Sequence, residues 1–320
     1  MILITGCAGY IGSELCKKLE KSNINYVGID SLKYSYSENI YNKKKFIKSC
    51  ISNKRLLLNL IKKFKVNTII HCAAYAYVND AEIHKKKYYL NNVLKTQKFI
   101  DLIVKEKIQN FIFLSSSNVY SENIKNNYFS ESSKTKPKNY YGKTKLIIEK
   151  YLLSKKKFFK NIYILRLFNI IGLTKKFKPK KFHQFKHQRF FFKIYYMIKK
   201  NEPMFLNYID RKNKTRIYPS RDFLDIRDFS NIILFILKNL NKKFIKIYNA
   251  GCGKSYALNK ILNLMKSSEN FNFKLKYTKL PKKEYILTRA SIKKINSELK
   301  WKPKFLILDS IKSLKKNLII

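Results

Sequence analysis

The chain has 320 residues and is 45% hydrophobic, enough for one large α/β unit or two modest domains. Its formal charge of +49 is extreme, but only 8 of the 69 basic residues are Arg and the lysines spread along the whole chain. That reads as solvated faces and compositional drift of the kind an AT-rich genome produces, with weak salt-sensitive polyanion binding and no specific nucleic-acid partner. There is no apolar run long enough to span a membrane, no signal-peptide pattern and no Cys-x-x-Cys pair, so a cytoplasmic protein is expected.

Met1 to Thr5 is an apolar run that leads straight into Gly6-Cys7-Ala8-Gly9-Tyr10-Ile11-Gly12. A helical pattern follows, with Ile11, Leu15 and Leu19 at four-residue spacing, and then a second apolar run, Tyr26 to Ile29, ends on Asp30. Strand, glycine turn, helix, strand and acid come in the order a dinucleotide site requires. The glycines let the backbone approach a pyrophosphate, and the helix N-terminus offers free N–H groups to it. Asp30 can accept from both ribose hydroxyls and would repel a 2′-phosphate, which favours NAD over NADP.

Downstream, Phe46–Ile51, Val66–Cys72, Phe111–Ser115 and Asn161–Phe168 read as strands. Leu56–Phe64, Tyr88–Lys105 and Tyr141–Leu153 read as helices. This alternation predicts an α/β fold of Rossmann type, a doubly wound parallel sheet with a smaller C-terminal α/β substrate-binding domain. The expected division is 1–172 for the NAD-binding domain, with 221–250 returning to it, and 173–320 for the smaller one. After Gly172 the pattern loosens. Residues 175–186 read as a basic loop, 190–200 as a helix, 207–220 as a long polar stretch, and 222–240 with 244–250 as a helix and strand rejoining the sheet.

Tyr141 and Lys145 are four residues apart, on one face of a helix. A phenol is a poor base at neutral pH, and a nearby ammonium is expected to lower its pKa. Ser115-Ser116-Ser117-Asn118-Val119-Tyr120 closes a buried strand, which places Ser116 at the carboxyl end of the sheet. Ser116, Tyr141 and Lys145 beside a dinucleotide form a proton-transfer set coupled to hydride transfer. His71 reads as a strand residue near the cofactor, and Arg221 has an ion pair with Asp222 or Asp228 as its structural alternative. Asn91 and Asn92 have backbone bridging as theirs. His84, His183 and His187 show no metal spacing, so no metal is expected.

With these motifs in place, the chain resembles the extended short-chain dehydrogenase/reductases, most closely the NAD-dependent nucleotide-sugar epimerases. The resemblance runs in order through Thr5–Gly12, Asp30, His71–Ala74, Asn91–Val93, Ser115–Tyr120, Tyr141–Lys145, Arg166–Gly172, Arg221–Asp228, Tyr248–Gly251 and Leu299–Pro303. Lys186-His187 before a helix and the eighteen-residue step from Pro203 to Arg221 point to the 4-epimerases among them.

The resemblance implies that Tyr141 takes the proton from a sugar 4-hydroxyl, Lys145 keeps its pKa low and Ser116 bonds the same hydroxyl. It implies cofactor contacts at Gly6, Gly9, Tyr10, Ile11, Gly12, Asp30, Ile51, Ala73, Asn91, Ser115, Tyr141, Lys145 and Phe168. It implies substrate contacts at Ser116, Asn169 and Arg221, with Arg221 on the diphosphate of a UDP-sugar. The implied activity is NAD-dependent interconversion of UDP-glucose and UDP-galactose by a homodimer joined through 88–105 and 141–155. A UDP-N-acetylhexosamine or UDP-hexuronate epimerase, a sugar-nucleotide dehydratase, and a non-catalytic NAD- or RNA-binding protein are the alternatives. Ser117 and Asn118 stand where the dehydratases carry Asp-Glu. Cys50, Ala76, Asp225 and the segment 281–285 depart from the 4-epimerase pattern.

Overall fold

In the computed structural model, residues 1–122, 128–180, 189–210, 215–240, 243–269 and 271–319 are described. The strands in chain order are β1 (Ile2–Thr5), β2 (Tyr26–Asp30), β3 (Phe46–Lys48), β4 (Thr68–His71), β5 (Asn110–Ser116), β6 (Asn161–Leu167) and β7 (Asn169–Ile171). They continue as β8 (Met204–Asp210), β9 (Arg216–Ile217), β10 (Ser220–Asp225), β11 (Phe244–Ala250), β12 (Ser255–Ala257) and β13 (Leu275–Lys279). The helices are α1 (Tyr10–Lys21), α2 (Lys54–Lys63), α3 (Val78–Ile83), α4 (Lys85–Tyr88), α5 (Lys95–Lys105) and α6 (Tyr140–Ser154). After them come α7 (Phe190–Lys199), α8 (Ile226–Lys238), α9 (Leu258–Glu269), α10 (Lys293–Leu299) and α11 (Ile307–Asn317).

Seven strands form one parallel sheet in the order β11-β6-β5-β4-β1-β2-β3. Successive side chains of a strand point to opposite faces, so each central strand feeds two cores. Ile2 and Ile4 join Leu15 and Leu19 of α1 and Phe229 and Ile233 of α8 on one face. Leu3 and Ile69 join α2, α5 and α6 residues on the other. Strands buried on both faces read as continuous apolar runs, which is why β1, β5 and β6 stand out in the sequence. The order reverses between β1 and β4, and the glycine turn lies at that switch point.

A smaller unit carries two three-stranded sheets, β12-β10-β7 and β13-β8-β9. Its core joins α7, α9 and α11 to Met204 and Leu206 of β8. Strand β11 rejoins the main sheet beside β6, as expected, but 220–225 does not, because β10 pairs with β7 and β12. The polar stretch 207–220 is also strand for much of its length. In β8 the buried Met204 and Leu206 alternate with the exposed Phe205, a half-buried pattern that polar neighbours disguise. Lys186, His183 and His187 lie outside the described residues.

The helix expected over Tyr88–Lys105 is interrupted by a π-type stretch, Tyr89–Leu94, between α4 and α5. The wide turn buries the Asn92 side chain, whose oxygen accepts from Tyr75 N–H and whose amide donates to Tyr75 O, both at 2.9 Å. Asn92 thus bridges backbone, its structural alternative, and fixes the loop after β4.

Arg166 of β6 and Glu149 of α6 form a buried fork, with Nη2–Oε2 at 2.8 Å and Nε–Oε1 at 3.1 Å. Ser115 Oγ also donates to Glu149, so the pair ties β5, β6 and α6 together under the strand ends. Arg166→Leu should lower unfolding free energy by about 3 to 5 kcal/mol, because Glu149 is left buried and unpaired. The double change Arg166→Leu with Glu149→Leu should cost clearly less in the same urea titration.

Candidate active site

The glycine turn is enforced by contact. A Cβ on Gly12 would lie 2.1 Å from Gly6 O, and Gly6 itself has φ +72°. The N-cap of α1 is Gly9, with no side-chain bond and no acidic residue in the first turn. The N–H groups of that turn are therefore left to an external anion. At the end of β2, Asp30 accepts from Ala8 N–H at 3.1 Å and from Leu32 N–H at 2.8 Å, which fixes its carboxylate beside the turn.

A cavity of about 880 Å3 opens along the carboxyl ends of the strands. It is large for a single small-molecule site. Of the expected residues, Gly6, Gly9, Tyr10, Ile11, Gly12, Ser115, Ser116, Tyr141, Lys145, Phe168, Asn169 and Arg221 line it. Asp30, Ile51, Ala73 and Asn91 are not among its lining. The Asn91 amide donates to Asn92 Oδ1. The glycine cradle, the uncapped helix terminus and the carboxylate fixed beside them fit a dinucleotide with an unphosphorylated ribose.

The catalytic corner is assembled as the spacing implies. Asn139 caps α6 by accepting from Gly142 N–H at 2.8 Å, and α6 then carries Tyr141 and Lys145 on its inner face. Ser116 Oγ acts on the Tyr141 phenol and accepts from Asn118 N–H at 3.2 Å. Lys145 donates to Leu114 O at 2.7 Å and stands over the Phe113 ring.

One electrostatic expectation needs correction. Burial pushes the Tyr141 phenol up to about 12, and the charge opposing that rise is Arg189, with the Ser116 bond helping. Lys145, whose Nζ lies 5.9 Å from the Tyr141 ring centroid, donates to the Leu114 carbonyl. Burial also brings Lys145 down to about 8.

The remaining candidates sort by their contacts. Arg221 pairs with Glu284 at 3.5 Å, not with Asp222 or Asp228. Asp222 accepts from the N–H groups of Cys252, Gly253 and Ala290, and Asp228 from those of Lys304 and Phe305. Asp225 is the N-cap of α8, forked by Arg227 and bonded by Ser310. Burial raises the Cys50 thiol, but Ser52 and Lys95, whose Nζ is 3.8 Å away, outweigh it and hold the thiol below its ordinary value. His71 is a core residue, with Nδ1 2.8 Å from Thr5 Oγ1 and its ring against Phe99 and Phe113. Among the described residues no helix is long and apolar enough to cross a membrane.

Arg189 of the cavity wall escaped the sequence reading; its signal was its rarity, one of 8 Arg among 69 basic residues. Glu284 lies in the segment 281–285 that departs from the 4-epimerase pattern, but its pairing with Arg221 was not legible.

Fold and site together fit a dinucleotide-binding protein whose cavity brings Ser116, Tyr141 and Lys145 together. The comparisons narrow this class. The sequence model of the NAD dependent epimerase/dehydratase family matches residues 2–251, and the chain belongs to that family. It is 25% identical over 317 residues to UDP-glucose 4-epimerase of Lactobacillus helveticus, covering 97% of this chain and 94% of that one. It is 30% identical over 273 residues to dTDP-D-glucose 4,6-dehydratase of Dictyostelium discoideum, covering 78% of this chain and 58% of that one. Its fold matches UDP-glucose 4-epimerase from Bifidobacterium longum in complex with NAD+ and UDP at a TM-score of 0.89, with 19% identity and 99% and 98% of the two chains covered.

Two predictions follow from these charges. Burial, together with the nearby Lys145 ammonium, holds His71 down at about 3 in the folded state, against its ordinary 6.5. Its contribution to stability is complete above about pH 6.5 and is lost as pH falls from there towards 3. Urea unfolding at pH 6.5 and 4.5 should show a loss on the order of 2 kcal/mol from this group, absent in His71→Asn. Glu284 competes with any diphosphate for Arg221, so Glu284→Gln should tighten UDP binding about threefold or more by calorimetry.

Proposed function

We propose that this protein is an NAD-dependent nucleotide-sugar 4-epimerase acting on UDP-glucose and UDP-galactose. The observation that carries this reading is the composition of the catalytic corner. Ser116, Tyr141 and Lys145 meet there, and among the described residues lining the cavity the acid is Glu284, which is committed to Arg221. Dehydration needs a further acid and base beside the ring to remove a proton and a hydroxyl. Asn118 occupies the place next to Ser116 and spends its side-chain oxygen on Asn139 Nδ2 at 2.8 Å. The corner can move a proton at one hydroxyl and has no second acid–base pair among its described residues.

In this reading Ser116 orients the C4 hydroxyl and Tyr141 takes its proton. The phenol must ionise for that step, so the positive charges of Arg189 and Lys145 matter most when the cavity is filled and dry. When bound, NAD supplies a reversible acceptor for the hydride at C4, so that the 4-keto sugar can be reduced again on its other face. Gly6, Gly9, Gly12 and Asp30 hold the dinucleotide, while Asn169 and Arg221 hold the UDP portion. Residues 1–172 with 226–250 serve the cofactor, and the smaller unit serves the sugar nucleotide. A cytoplasmic homodimer through the surfaces of α5 and α6 completes the proposal.

Purified protein incubated with UDP-galactose, UDP-N-acetylgalactosamine and UDP-galacturonate should epimerise the first fastest. Tyr141→Phe should lower that rate by about a thousandfold while bound NAD stays near wild-type occupancy. Turnover close to wild type would remove Tyr141 from this role.

A further inference from the structure

Arg189 is the N-cap residue of α7 and lines the same cavity as the glycine turn. Its guanidinium carbon lies 4.9 Å from the centroid of the Tyr10 ring. Tyr10 is the first residue of α1, whose N-terminus the glycine turn leaves uncapped. It also bonds the Tyr77 phenol and acts on Tyr141 through its charge. It therefore spans the opening between the glycine turn and the catalytic corner.

Among the described residues no carboxylate pairs with Arg189. The neighbouring cations are committed elsewhere. Lys145 donates to Leu114 O, Arg221 faces Glu284, Lys283 pairs with Glu82, and Lys193 stands over Phe205 of β8. A pyrophosphate carries one negative charge on each phosphate, whereas a helix N-terminus offers roughly half a positive charge. The glycine turn alone leaves most of that charge uncompensated in a half-enclosed cavity. A guanidinium presents a planar fork suited to two phosphate oxygens.

We propose that Arg189 is a cofactor clamp, closing over the glycine turn from α7 and gripping the pyrophosphate of the bound dinucleotide. Because α7 belongs to the smaller unit, the clamp joins the two halves across the cofactor. It makes release of NAD depend on an element that also walls the sugar site. The proposal rests on dinucleotide binding at the glycine turn and is independent of which sugar is epimerised.

The test uses the purified holoprotein and Arg189→Gln, with far-UV circular dichroism and thermal midpoint as the folding control. Bound NAD should exchange with labelled NAD about tenfold faster or more in the variant. ADP-ribose should bind about tenfold more weakly, and adenosine, which lacks the pyrophosphate, should be unaffected. Arg189→Lys should fall between the two, since a point charge replaces the fork. A folded Arg189→Gln protein whose exchange and ADP-ribose affinity stay within about twofold of wild type would overturn the clamp. So would a loss confined to UDP, which would place Arg189 in the substrate half. Faster exchange in a protein that epimerises none of the three UDP-sugars would support the clamp and remove only the sugar reading.

Discussion

The structure depends on one electrostatic constraint, an excess of positive charge around a single cavity. Lys145, Arg189, Lys193, Arg221 and Lys283 border it, against Glu284 among the described lining. Burying cations without partners is costly, and the fold spends much of its local structure on offsetting that cost. Leu114 lends a carbonyl to Lys145, Glu284 leans on Arg221, and aromatic faces receive Arg189 and Lys193. A site built this way is suited to anions, and the proposed ligands, a dinucleotide and a sugar nucleotide, would each bring a diphosphate.

The main sheet makes the constraint workable. Its parallel strands all deliver their carboxyl ends to one edge, and the order reversal between β1 and β4 opens the crevice there. The buried Glu149–Arg166 fork holds Ser115, the penultimate residue of β5. Ser116, the next residue, can then be presented to the cavity while its neighbour is anchored. Asn92 does the same for the loop after β4, holding both polar atoms of the Tyr75 backbone. Each reacting group is thus one residue or one turn from a buried, fully bonded support.

How much of this was legible follows from which interactions are local. The glycine turn is a contact between residues six apart, and Tyr141 with Lys145 is one helical turn, so both show in the sequence. The central strands are buried on both faces and announce themselves as apolar runs. Strand β8, in the middle of its small sheet, is half exposed, and its Asn, Tyr and Asp read as loop. The Arg221–Glu284 pair spans sixty-three positions, and its meaning lies in a contact that no spacing reveals. The Tyr141 pKa was misjudged for a related reason. Sequence places Lys145 on the right face but does not show how deeply the phenol is buried, and burial is what raises it.

Arginine usage gives the extreme composition a physical reading. Lysine fills most surface positions, whereas two of the 8 arginines, Arg166 and Arg227, make planar forks with buried carboxylates. Arg166 forks Glu149, Arg227 forks Asp225 at two 2.8 Å bonds, and Arg221 faces Glu284. A flexible ammonium could carry the same charge at each place but could not make two parallel bonds from one plane. Arg189 lines the cavity, and among the described residues it has no carboxylate partner. A fork with no protein anion to fill it is what a ligand phosphate explains.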